Sequence, residues 1–167
     1  MVAAESLDLL RSVCTAIRKA QGSGAASSAV ATESNHAIEW SDSWLALYHL
    51  CPEALSGAAD ILDNKSVTRV VARESGREFF VVDGNGRNKA HTCIPGFCTC
   101  MSYCLNVVTK PDALVCKHEL AVLLSDSLGL ALTRELPDAE WAKEYRMKMS
   151  MPMMAYDPST ASSAQQP

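Results

Sequence analysis

Three thiols and an imidazole stand out in CTCMSYCLNVVTKPDALVCKH: Cys98 and Cys100 form one tight pair, and Cys116 and His118 form a second after a long insert. Cysteine sulfur and histidine nitrogen are the usual donors of a tetrahedral structural zinc site, and these residues supply four. Residues two apart in an extended chain project to the same side, so Cys98 and Cys100 can reach one ion from the end of a strand. Residues two apart on a helix point about 200° away from each other, so Cys116 and His118 cannot both sit mid-helix. The spacing therefore predicts Cys116 just before a helix and His118 in its first turn. Four protein donors leave no open position, which predicts one structural Zn²⁺ and no catalytic metal.

The remaining thiols and imidazoles are read more plainly. Cys93, on a strand, and Cys104, on a helix expected over about 100–108, are core thiols, a common fate of free cysteine. His36, His49 and His91 have no evident partners and are read as structural or solvated.

The elements that must hold these donors follow from hydrophobic periodicity. SLDLLRSVCTAIRKA places Leu7, Leu10, Val13, Cys14 and Ile17 at helical spacing, with Ser6 as N-cap, and predicts an amphipathic helix over 1–20. Small polar residues predict a flexible linker over 21–37. Helical spacing returns over 38–65, with Trp40 and Trp44 one turn apart on a shared face. SVTRVVA, EFFVVD and KAHTCI are β-rich runs separated by RESGR and GNGRN, which predicts a three-stranded antiparallel meander. An apolar helix, HELAVLLSDSLGLAL, follows the second ligand pair and closes a zinc-finger domain over 66–132; its Leu120, Leu123, Leu124 and Leu128 should pack on the meander. A C-terminal helix over 133–149 and a disordered tail over 150–167 complete the reading. The fold class is α+β: N-terminal helices, a meander, and a helix stapled to it by the metal.

Composition narrows the function classes. The chain has 167 residues, 48% of them hydrophobic, with a net charge of -4 and a pI near 5.5. That balance gives no global reason to coat nucleic acid. No apolar run is long enough for a membrane span, and MVAAESLDLLRSVC carries acids where a signal peptide needs bases, so an intracellular chain is expected. Seven cysteines in such a compartment are thiols or metal ligands rather than disulfides. No phosphate-binding G-x-x-x-x-G-K-[ST] loop and no nucleophile paired with a base is found, so no enzyme is expected.

C-x-C, a long insert and C-x-H opening a helix resemble the signature of SWIM-type zinc fingers. Further stretches, CPEALSGAADILDNKSVTRVVARESGREFFVV, HTCIPGFCTCMSYCLNVV and ALVCKHELAVLLSDSL, resemble the small SWIM-domain subunit of Shu complexes, over roughly half the chain. The resemblance implies that Cys98, Cys100, Cys116 and His118 bind zinc. It also implies a nuclear protein that pairs with a RecA-like recombinase-paralogue ATPase and promotes homologous recombination and DNA repair, with single-stranded DNA reached through the complex. The insert at 21–37 and the methionine-rich tail depart from that pattern.

Partner contacts are expected on the Trp40/Trp44 helix and on Leu120 and Leu124, with core packing as the rival reading for both. The alternative function is an autonomous DNA-binding finger of transposase-like type. Arg69 and Arg73, on one strand face by alternation, would then contact DNA, although nearby acids dilute the patch. A ubiquitin-ligase type module needs about eight zinc ligands and is disfavoured by the single cluster.

Overall fold

Leu10, Cys14 and Ile17 recur at helical spacing, and all three are buried; this stripe forms the inner face of helix α1 (Val2–Ser23). The computed structural model describes residues 2–23, 33–84 and 90–150. Helix α1 begins upstream of Ser6, which is therefore internal to the helix and not its N-cap. It packs against α2 (Glu33–Leu50). Both helices extend into the expected 21–37 linker, of which residues 24–32 lie outside the described set. Pro52 opens α3 (Pro52–Asp63) at its first helical position, where its missing N–H costs nothing.

The period then shortens to two. Strands β1 (Val67–Ala72), β2 (Glu78–Val82) and β3 (His91–Ile94) pair antiparallel, with Val67 opposite Val82 and Phe80 opposite Cys93. This is the expected meander, but the sheet has two further strands. Pro95 and Gly96, the latter at φ +80°, turn β3 into the two-residue β4 (Phe97–Cys98). At the other edge β5 (Leu132–Leu136) runs parallel to β1, giving the order β4-β3-β2-β1-β5. The fold is thus α+β on a mixed five-stranded sheet.

The expected apolar helix is cut short to give β5. Helix α4 (Lys117–Ser127) ends where Gly129 adopts φ +65°, a left-handed geometry that stops a helix at little steric cost. The Leu130 N–H then donates to the Ser125 carbonyl, and the chain leaves as a strand. The expected 133–149 helix is correspondingly shorter, α5 (Asp138–Met149), with residues 133–136 in the sheet. The tail from 151 onward lies outside the described residues.

Each face of the sheet carries its own apolar cluster. On one face α1, α2, α3 and α4 gather Leu10, Ile17, Leu47, Val67, Phe80, Leu120 and Leu124 around the sheet. On the other, Val70, Phe79 and Val81 are covered by Trp141 of α5. The indole Nε1–H donates to the Val70 carbonyl at 3.1 Å, and the ring packs against Phe79 and stacks on Tyr145.

Helices α3 and α4 approach closely at Gly57, where an added Cβ would lie 2.8 Å from Lys117 Cδ. Lys117 is exposed, so its outer methylenes can shift into solvent, although its Cβ would also lie 3.3 Å from the added atom. Gly57→Ala is therefore expected to be close to neutral, within about 0.5 kcal/mol, because lysine displacement offsets the gain in helix propensity. Gly57→Leu should cost about 1–3 kcal/mol by forcing apart the two helices. Urea denaturation of the two variants measures the difference, and equal effects would remove the close approach as a constraint on α4.

Candidate metal centre

Hairpin and helix bring the four sequence-predicted donors together. Cys98 ends β4, and Cys100 follows as the chain leaves the sheet. The Thr92 N–H donates to Thr99 Oγ1 at 2.9 Å and the Thr99 N–H to the Thr92 carbonyl at 3.0 Å, holding the intervening residue against β3. Cys116 is the N-cap of α4, with extended backbone at φ -85° and ψ 164°, and His118 lies in the first turn. These are the placements that the two-residue spacings require.

The three sulfurs and a ring nitrogen of His118 all lie within 4.8 Å of one another. Donor atoms around a tetrahedral zinc with bonds of about 2.0–2.3 Å are separated by about 3.3–3.8 Å, so a small contraction closes the cluster on a cation. The three cysteines are buried. His118 Nδ1 is a buried ring nitrogen without a hydrogen-bond partner, a costly state unless that lone pair or proton has another use. Donor chemistry, proximity and the orphaned nitrogen all fit zinc.

Backbone N–H groups orient two of the sulfurs. The Glu119 N–H donates to Cys116 Sγ at 3.4 Å, and the Tyr103 N–H to Cys100 Sγ at 3.2 Å. Hydrogen bonds, first from Cys116 and then from Cys98, with smaller help from His118 and Tyr103, hold the Cys100 thiol far below its ordinary value. Cys98 and Cys116 are pushed far above theirs, first by their hydrogen bonds with Cys100, with burial adding to the rise. The three sulfurs thus form one hydrogen-bonded group that shares its protons. A divalent cation held by these donors would draw negative charge onto every sulfur, with release of protons.

The insert between the ligand pairs is helical near the expected place, but it is a π-helix, Tyr103–Thr109, preceded by a short α-helical start. Tyr103 anchors it: the hydroxyl donates to the Gly96 carbonyl, and the ring meets Phe97 edge-on. Cys104, half-buried on this insert, stands outside the cluster.

Two groups beside the site were not anticipated in these roles. The ring of His91 lies 4.3 Å from that of His118. Burial first, then the neighbouring His118, lowers its basicity below that of an ordinary imidazole. Period-two alternation could have found it, since His91 shares a strand face with Cys93, which pairs with Cys98. Glu119 is buried, and its carboxyl is pushed up to about 7, chiefly by desolvation. Its position three residues after the Cys116 cap is the capping-box position.

Cys93 is buried directly across from Cys98, outside the four-donor cluster. Cys93→Ala is therefore expected to retain the bound metal while costing about 1–2 kcal/mol of packing. Metal content by inductively coupled plasma mass spectrometry checks this, and loss of the ion would make Cys93 a ligand.

The other sequence-predicted contacts fare differently. Leu120 and Leu124 have no exposed surface and form part of the main core, so they cannot dock a partner. Helix α4 lies flat on the sheet and turns both inward. Trp44 is partly buried against the same core, and the Trp40 side chain lies outside the described residues. Among the described side chains of α2, the exposed large apolar ones are Leu45 and Tyr48. Arg69 donates to Glu78 and lies 3.9 Å from Asp126, so its charge is locally matched. Arg73 is in the turn after β1 and does not share a strand face with Arg69. The structure therefore assembles no free DNA-facing pair from these two arginines.

C-x-C at a strand end joined to C-x-H at a helix start, around one buried cluster, fits the SWIM-type zinc fingers. The likenesses to known proteins agree with that class. The chain is 28% identical over 101 residues to a zinc finger SWIM domain-containing protein 7 homolog of Dictyostelium discoideum, covering 60% of this chain and 65% of the relative. It is 34% identical over 85 residues to zinc finger SWIM domain-containing protein 7 of Danio rerio (50% and 59% covered). The human protein of that name is 35% identical over 83 residues (48% and 58% covered). The chain thus spans less than two thirds of the length of these relatives. No family model matches the chain. No solved structure matches it. Among the described residues no helix is long and apolar enough to cross a membrane.

Proposed function

We propose that this chain is a non-catalytic, zinc-binding adaptor of a Shu-type complex. It pairs in the nucleus with a RecA-like recombinase-paralogue ATPase and promotes homologous recombination and DNA repair, reaching single-stranded DNA through that partner. The observation that carries the reading is the Cys98, Cys100, Cys116 and His118 cluster at the junction of β4 and α4. Its likeness to proteins named for a SWIM domain supports the same assignment.

Four protein donors would saturate one zinc ion, which then acts as a cross-link rather than as a Lewis acid. Cys98 and Cys100 would hold the ion from the sheet, and Cys116 and His118 from the helix. The surface built around that junction is what a partner would recognise. Local neutralisation of Arg69 by Glu78 and Asp126 disfavours the alternative of an autonomous DNA-binding finger.

Mass spectrometry of proteins co-purifying with the tagged chain from its native cells tests the adaptor. A RecA-like ATPase should be recovered with the native chain and lost with Cys116→Ser. Recovery of DNA-bound material without any such ATPase would overturn the reading in favour of the autonomous finger.

A further inference from the structure

Among the described residues β5 is the last strand of the sheet, and its backbone directions can be assigned. The Arg73 N–H donates to the Leu136 carbonyl at 2.8 Å, so that carbonyl faces β1. Backbone groups of successive strand residues point to opposite edges, so Leu132 and Arg134 also turn theirs toward β1. Thr133 and Glu135 therefore aim their N–H and C=O groups at the open edge. β5 has no proline or lysine to guard that edge, and Leu132, at its start, is 57% exposed.

We propose that this edge pairs with β5 of a second copy of the chain, antiparallel about a two-fold axis, to give a continuous ten-stranded sheet. Outward-facing residues must meet outward-facing residues, which leaves three registers that use the strand centre. Centring on Glu135 would set that carboxylate against its own copy. Centring on Thr133 would set Leu132 against Arg134. Centring on Arg134 sets Thr133 against Glu135, and Leu132 against Leu136, on both sides of the axis.

Only the last register satisfies both charge and hydropathy. Its cost is an arginine opposite its own copy, but each Arg134 is already neutralised by a two-pronged pair with Glu144, at 3.0 and 2.6 Å. At the axis the two pairs would form an alternating group of four charges. Exchange of both backbone hydrogen bonds between Thr133 and Glu135, repeated by symmetry, supplies four bonds. This inference does not depend on the adaptor reading.

Sedimentation equilibrium of the full, zinc-supplemented chain between about 1 and 100 μM tests the pairing in the micromolar range. A reversible monomer–dimer equilibrium is expected. Thr133→Pro removes an outward N–H without touching the pairing to β1, and it should weaken the dimer at least about tenfold. Arg134→Cys, in a Cys104→Ser background, places a thiol opposite itself at a non-hydrogen-bonded pair, where the Cα atoms lie about 4.5 Å apart. It should cross-link to a dimer with oxidised glutathione, whereas Thr133→Cys should not.

A chain that stays monomeric throughout overturns the proposal, as does a dimer that Arg134→Cys fails to capture. If the monomer instead loses a co-purifying protein on Thr133→Pro, the edge belongs to that protein and self-pairing is excluded.

Discussion

Removing the cation from the purified chain with a strong chelator is expected to abolish the cooperative melt of the sheet and α4. Cysteine and histidine sites of this kind contribute about 10–16 kcal/mol in small peptides, as much as the net stability of an ordinary domain. Without the ion, buried sulfurs sharing protons and an orphaned His118 Nδ1 remain at the junction of β4 and α4. Cys116→Ser and His118→Ala should reproduce the effect, with loss of bound metal and of soluble yield. Cys104→Ser, on the insert beside the cluster, should do neither. Circular dichroism melts paired with metal analysis provide the test. An unchanged melt in metal-free protein would show that the apolar core alone holds these elements, and would end the structural role of the site.

The second large effect is expected at Trp141, far from the metal. Trp141→Ala should destabilise the chain by about 3–5 kcal/mol, as the loss of a buried aromatic ring commonly does. It opens the face over Val70, Phe79 and Val81 and leaves the Val70 carbonyl without its indole donor. Trp141→Phe retains most of the ring but not the N–H, and should cost about 1–2 kcal/mol. Urea midpoints at constant m-value separate the two contributions. A cost below about 1 kcal/mol for the alanine variant would mean that α5 contributes little to the sheet.

The ligand pairs were legible because their spacings have geometric meaning: a strand admits two donors two residues apart, and a helix start admits a donor at its cap and another just inside. The meander was legible because β-branched runs and turn residues mark strands that pair with their sequence neighbours. β5 was hidden for the opposite reasons. Its partner β1 lies more than sixty positions earlier, and most of its side chains are exposed, so Leu-Thr-Arg-Glu-Leu carries little burial signal. Gly129 was the available sign that α4 stops before it. The inward turn of Leu120 and Leu124 was legible only as one of two readings, because an apolar helical stripe does not say whether core or partner covers it.

The order of the strands also sets an order of events during synthesis. β1 to β4 and the four metal donors are complete once His118 has been made, whereas the outer strand beside β1 and the helix over Phe79 are not. At ribosomal rates the remaining residues to Met149 take about 2–6 s. During that interval a metal-loaded hairpin and helix can already be closed while one face of the sheet and the flank of β1 wait for their cover. A nascent chain halted in that window would display the strand most prone to pair with the wrong neighbour, and its protection would fall to whatever meets it at the exit tunnel.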